Sequence, residues 1–449
     1  MEAHNLQPNP RFLFRQPLAL QWFENGKLVK RSEEERQAGK PPDARVSALA
    51  DEQAALSCFS ICCMSRFLRT LPTLLPRIYQ LILAPSWHVW SDLREIMNSF
   101  YNDDFLQRIL ILWVMAVLMV YGNNASLVDE DIGALRSTVG AYMVARLSCN
   151  IAQLYYSFGS YHHRPQQRLW VALSTACLFI YIPLYVDTIS LRHKIAVAAV
   201  AVVLEECVWV FCYSPIAKRM LKAKYTTAVD IAHEIDRFAA FYIIALGEFL
   251  YWSIVGSPAA IGFNTGLLRA VWTLVIAFCL NWIYVHNDGS LHGTHPLRHS
   301  IWTAFSWATL HLPLIASLLA GGHVAALSAK EDQFGESERW LLCGSIGVGL
   351  FCLWGFGLLY ADKDEPGTLM LNKHFRIIMR PIVGIVIICL PLADGEKEVT
   401  TTMSTMMALI VFCLIWENVT SLRRDCQIWE KWENTNYPEK VMDGTKGSG

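Results

Sequence analysis

HKIAVAAVAVVLEECVWVFCY, residues 193–213, decides the fold. After its first two residues it is apolar up to Glu205-Glu206 and apolar again beyond them. As a helix, a block of this length spans a hydrocarbon layer of about 30 Å. Similar blocks recur along the chain, at Phe105–Tyr121, Leu135–Phe158, Leu169–Val186, Asp236–Val255, Leu267–His286, His299–Ala320, Trp340–Tyr360, Phe375–Leu392 and Thr400–Val419. With His193–Tyr213 they make about ten spans. Short connectors make neighbours antiparallel, so the expected fold is all-α, a polytopic transmembrane bundle.

Composition agrees. Of the 449 residues, 53% are hydrophobic and 17% charged, against about 25% charged in soluble domains. A net charge of −1 gives no reason to expect nucleic acid as a partner. Most of the 13 cysteines lie inside apolar blocks, as small buried side chains do.

Basic connectors fall on every second turn: His162–Arg168, Lys218–Lys224, the neighbourhood of Arg298, Lys363–Arg376 and Arg423-Arg424. Those between are acidic or neutral, with Arg192–Lys194 the exception. Positive charge marks the cytosolic side. The C-terminus is therefore expected in the cytosol, in the plasma membrane or an endomembrane, with the lipid bilayer as the principal partner. The expected divisions are a polar tail at 1–55, an atypical apolar segment at 56–90, the bundle at 91–422 and a cytosolic tail at 423–449. Such a bundle is compatible with an oligomer.

Ionised groups at mid-bilayer cost at least about 2.5–3.5 kcal/mol on insertion scales, so they pair or line a wet cavity. Arg146, Glu205, Glu206 and Glu248 are such residues, and Asn150 and Asn281 can join them by hydrogen bonds across helices. They form the candidate polar site, suited to a proton, a cation or a small solute. The competing reading makes them polar bolts that fix packing. Among the histidines, the run with His292, His295 and His299 has spacing found in membrane di-iron enzymes, but no second HxxHH box follows. Interfacial histidines are expected, and no cofactor is assigned. No phosphate loop, GxSxG elbow or HExxH helix occurs, so the motifs weigh against an enzyme.

The stretch His233-Glu-Ile-Asp236-Arg237-Phe238, with Ile243-Ile244-Ala-Leu246-Gly247-Glu248 after it, resembles the signature of the low-temperature-requirement A family. Asp236 stands where that signature usually has glutamate. Trp90-Ser-Asp-Leu-Arg94, Tyr142 with Arg146, His295-Pro-Leu-Arg298 and His311-Leu-Pro313 resemble its fungal branch. The resemblance covers roughly residues 87–419 and implies a multi-pass membrane protein without a defined activity. The family's opening motif, E-L-F-F-D-L, is replaced here by Leu56-Ser-Cys-Phe-Ser-Ile-Cys-Cys-Met64. Codons for that stretch, read two bases on, permit L-F-F-D-L-L-Y-V-A, so residues 57–85 are expected to be a frame-shifted first region. Permeation through the polar site is the favoured activity, ahead of a membrane scaffold for stress adaptation and then a membrane-embedded metal enzyme.

Overall fold

The structure is a computed structural model and describes residues 21–24, 27–30, 75–100, 104–254, 262–286, 290, 293–393 and 398–424. The long helices are α1 (Leu75–Ser99), α2 (Phe105–Ala125), α3 (Ile132–Gly159), α4 (Arg164–Leu178, continued as a 3-10 helix to Tyr185) and α5 (Leu191–Tyr213). The short α6 (Pro215–Met220) leads to α7 (Ile231–Ile254) and α8 (Thr265–His286). The short α9 (Pro296–His299) leads to α10 (Ile301–Ser328) and α11 (Glu336–Leu359). The last are α12 (Lys373–Ile377), α13 (Met379–Cys389, prolonged to Leu392) and α14 (Val399–Thr420). Every block expected as a span is a helix. Eight helices are long and apolar enough to cross a membrane. Leu112, Val203, Phe278, Ile385 and Ile415 are among the large apolar side chains left exposed on them. Such surfaces are at home against lipid tails.

Helices α1, α3 and α7 are as long, at 25, 28 and 24 residues, but carry ionisable groups that turn inward. Helix α1 runs without a break through residue 90. Its charges keep it out of the set of apolar spans, and from residue 83 onward it is almost wholly buried. Of the region expected to be frame-shifted, Leu75–Pro85 lie in this helix, and residues 57–74 lie outside the described residues.

The helices form two groups. In one, α2, α3, α4 and α5 pack in sequence; in the other, α7, α8, α10, α11, α13 and α14 pack together. Helix α1 contacts α2, α3 and α5 on one side and α7 and α10 on the other, so it wedges the groups together. Two close crossings in the second group need glycine. A Cβ on Gly322 of α10 would sit 2.6 Å from the Phe249 Cα of α7, and one on Gly347 of α11 would run into Ile388 of α13. Small residues that let backbones approach are a common device of membrane helix packing.

Connectors sort by charge as the sequence predicts. At one end, β3 (Tyr225–Thr227) bonds to Gln166 at the start of α4, through its Thr227 N–H. Strands β4 (Gly293–Thr294) and β5 (Ala361–Asp362) pair there, and Leu371 N–H bonds to the Thr420 carbonyl. The strands β1 (Gln21–Glu24) and β2 (Lys27–Lys30) also join this end, in a sheet of order β2-β1-β3. At the other end, Arg136 meets Asp187 at 2.6 Å and Arg269 meets Asp332 at 2.6 Å. The alternation of basic and acidic turns is therefore an alternation of two faces.

Gly322→Val is expected to force α7 and α10 apart, at a cost of about 1–3 kcal/mol. Thermal unfolding of the detergent-solubilised protein checks this, and an unchanged melting temperature would contradict the close crossing.

Candidate functional site

Asp92 and His88 lie one turn apart on α1 and face α3 and α5. Arg146, buried on α3, donates from Nη1 to Asp92 Oδ2 at 2.5 Å. Its Nη2 lies 3.7 Å from Glu205 Oε1, and its guanidinium stands 5.6 Å from the Trp170 ring. Glu205 Oε2 is within hydrogen-bond distance of three donors: Tyr142 OH donates at 2.7 Å, Tyr181 OH at 3.1 Å, and His88 Nδ1 stands at 2.8 Å. Three donors on one oxygen suit an ionised carboxylate, which only accepts.

His88 also faces a second acid. Its Nε2 lies 3.0 Å from Glu206 Oε1 while its Nδ1 lies against Glu205. A neutral imidazole carries one N–H and can donate to one carboxylate only. Two carboxylates on both nitrogens therefore require an imidazolium, or a proton held by Glu206 and donated back to the ring. The two arrangements differ by the position of one proton along a 3.0 Å hydrogen bond. Glu206 is the half-exposed partner and Glu205 the buried one, so the proton can be exchanged on the Glu206 side.

A small cavity of about 30 Å³ adjoins these groups and is also lined by Arg94, Trp209 and Ala308. That volume admits about two water molecules. Glu205 Oε1 and Arg146 Nε are buried near it without a hydrogen-bond partner among the described residues. Arg94, Trp209 and Ala308 also line a vestibule of about 620 Å³ at the basic end. A third cavity, of about 90 Å³, lies toward the opposite end; Tyr142 and Tyr181 line it and donate to Glu205. The cluster thus stands between a large cavity on one face and a small one on the other.

The structure brings Arg146, Glu205 and Glu206 together. Asn150 lies one turn from Arg146 and bonds to Ser174 and Thr175 of α4. Asn281 and Glu248 do not line this cavity. Asn281 keeps Oδ1 buried without a partner among the described residues, and Glu248 is half-buried on α7. In the α7 motif, Arg237 Nε donates to His233 Nε2 at 3.2 Å, Asp236 is exposed, and nothing crowds Gly247. The neighbour of these motif residues, Glu234, makes the internal contact, pairing with Arg94 at 2.5 Å and accepting from Asn98 at 2.8 Å.

Sequence reasoning missed His88, Asp92, Arg94, Glu95 and Glu234. A signal existed: His88, Asp92, Glu95 and Ser99 repeat at helical spacing and form one stripe of α1. It also missed Arg380, buried on α13, which grips both oxygens of Glu417 at 2.7 and 2.8 Å.

Of the histidines weighed as metal ligands, His292 lies outside the described residues. His299 is exposed, and His295 caps α9 by accepting the Leu297 N–H at 3.2 Å. Among the described residues no three of His, Cys, Asp and Glu are grouped to hold a metal. Burial, then the Arg298 charge, pushes His295 down to about 4 from 6.5.

A family model described as bacterial low temperature requirement A protein matches residues 76–417. Neither the comparison with curated proteins nor that with solved structures finds a match.

Two outcomes follow from this geometry. Arg146→Met strands Asp92 in the interior and is expected to cost about 3–5 kcal/mol, whereas Arg146→Met with Asp92→Leu recovers most of that loss; unfolding of the single and double variants checks it. His295 takes up a proton more readily unfolded than folded, so stability should fall as pH drops from 6.5 toward about 4. His295→Asn, which keeps a capping acceptor, should flatten that decline in pH-dependent melting curves.

Proposed function

The chain belongs to the low temperature requirement A family of multi-pass membrane proteins, and from that premise we propose that it carries protons across its membrane through His88, Glu205 and Glu206. The observation that supports this most is His88, held by both ring nitrogens between two carboxylates. A proton bound there can change owner along one hydrogen bond without altering the net charge of the cluster, because donor and acceptor are already in place. Arg146 and Asp92 contribute a fixed, mutually neutralised pair that holds the Glu205 side of the cluster in position.

The cavities supply the approach. From the basic end, the vestibule leads to Arg94, Trp209 and Ala308 and so to the small inner cavity. Beyond Glu205, the hydroxyls of Tyr142 and Tyr181 continue the hydrogen-bonded line toward the opposite cavity. Positive charge supports a cytosolic position for the basic end, with the C-terminus. The vestibule is then the cytosolic mouth, and the tyrosine pair the closed outer end. A site near mid-membrane is common to secondary transporters.

A second reading keeps the protein as a scaffold. The Arg380–Glu417 pair favours it, since that pair joins α13 to α14 and lines none of the three cavities described above. The two readings part on flux. Protein reconstituted in liposomes with a trapped pH dye is expected to pass protons under an imposed potential. His88→Gln and Glu205→Gln should each lower that rate at least about tenfold, or about 1.4 kcal/mol in barrier. A rate in His88→Gln equal to that of the unaltered protein, or no proton flux in either, overturns the proposal.

A further inference from the structure

The vestibule at the basic end has more to explain than passage of a proton. At about 620 Å³ it is of the size of organic ligand sites, which run roughly 300–1,000 Å³. Trp209 and Phe305 stand edge to face at 4.9 Å in its wall, with Ile231 and Leu297 adding apolar surface. Proton transfer needs neither this volume nor these walls.

The charges facing the cavity sort into paired and unpaired. Arg94 and Glu234 neutralise each other at 2.5 Å. What remains is one carboxylate, Glu95, and two fixed cations, Lys218 and Arg298, with His299 exposed beside Arg298. Among the described residues Glu95, Lys218 and Arg298 make no ion pair or side-chain hydrogen bond. Glu95 belongs to α1, three residues beyond Asp92, whereas Lys218 and Arg298 come from the short helices of the basic connectors. Arg298 is exposed, while Glu95 and Lys218 are half-buried. Partial burial of an ionisable group without a partner is costly, and a ligand group that hydrogen-bonds it or carries the opposite sign relieves it. An anion alone would leave the Glu95 carboxyl without a partner, and a cation alone would leave Lys218 so.

We infer that the vestibule binds a zwitterionic solute of about dipeptide size with apolar side groups, its ammonium on Glu95 and its carboxylate on Lys218 and Arg298. The inference rests on the reading of this cavity as the mouth of the proton route, and it names the class of solute that shares that route. The aromatic wall takes the side groups. Trp209 and Arg94, common to the vestibule and the inner cavity, place the bound solute next to the proton site.

The test uses full-length protein in nanodiscs and radiolabelled leucyl-phenylalanine, with its N-acetyl and C-amide forms as competitors. The free dipeptide is expected to bind, and each capped form to compete at least about tenfold more weakly. Glu95→Gln should abolish the discrimination against N-acetylation, and Lys218→Gln should weaken that against amidation. Absence of dipeptide binding, or capped forms competing as well as the free one, overturns the inference. If only acetylation matters, the ligand is a simple cation, and the zwitterionic class is wrong. Proton flux in parallel liposomes separates this reading from the previous one. Flux sensitive to His88→Gln without dipeptide binding removes the solute and leaves the route, whereas binding without flux removes the route.

Discussion

A guanidinium and a carboxylate held together where water is scarce set the terms for the rest of this bundle. Arg146 and Asp92 are both buried, on α3 and α1, and neither has bulk solvent to fall back on. Separating them would leave two uncompensated charges in a medium that stabilises neither. Helix α1 therefore has one depth and one rotation at which it can sit. Its position in turn spaces the two helix groups, since α1 touches both. The ion pair is weak evidence for stability in itself, but it is a strong determinant of register.

Once α1 is placed, the remainder of its polar stripe has little freedom. His88, one turn away, falls between Glu205 and Glu206 of α5. Arg94 turns to the other side, where Glu234 of α7 meets it and the rings of Trp90 and Phe238 flank the guanidinium at 5.1 and 4.5 Å. One helix so distributes its charges to both groups. The contrast with Arg380 and Glu417 is instructive. That pair is bidentate, its arginine also donates to the Leu353 carbonyl, and its hydrogen-bonding capacity is largely used up. The His88 cluster instead keeps a ring that faces two acids and polar atoms that border a cavity. Saturated pairs fix packing; unsaturated ones leave room for chemistry.

Much of the architecture was legible before any coordinates. The blocks read as spans are helical, eight of them long and apolar enough to cross a membrane, and the basic connectors share one face. Arg146, Glu205 and Glu206 stood out because each is expensive in hydrocarbon wherever its partner is. Glu248 and Asn281 stood out for the same reason, yet they do not line the cavity beside Arg146. Cost says that a group needs a partner, not which one. The α7 motif illustrates the same limit: the internal ion pair is made by Glu234, while Asp236 faces outward.

The sequence by itself determined that this is a bundle of membrane helices, which turns lie on a common face, and that a few acids and one arginine had to be accounted for inside. Those conclusions follow from sums over short windows, and hydropathy is such a sum. Only the tertiary structure decided that α1 belongs to the bundle, that His88 bridges two carboxylates, and that cavities flank the cluster. The reason is physical. A charge looks prohibitive in a local sum until the group that neutralises it is known, and here Asp92 is 54 residues from Arg146 and His88 is 117 residues from Glu205. Helices that carry paired charges are concealed from the sequence by the very interactions that hold them in place.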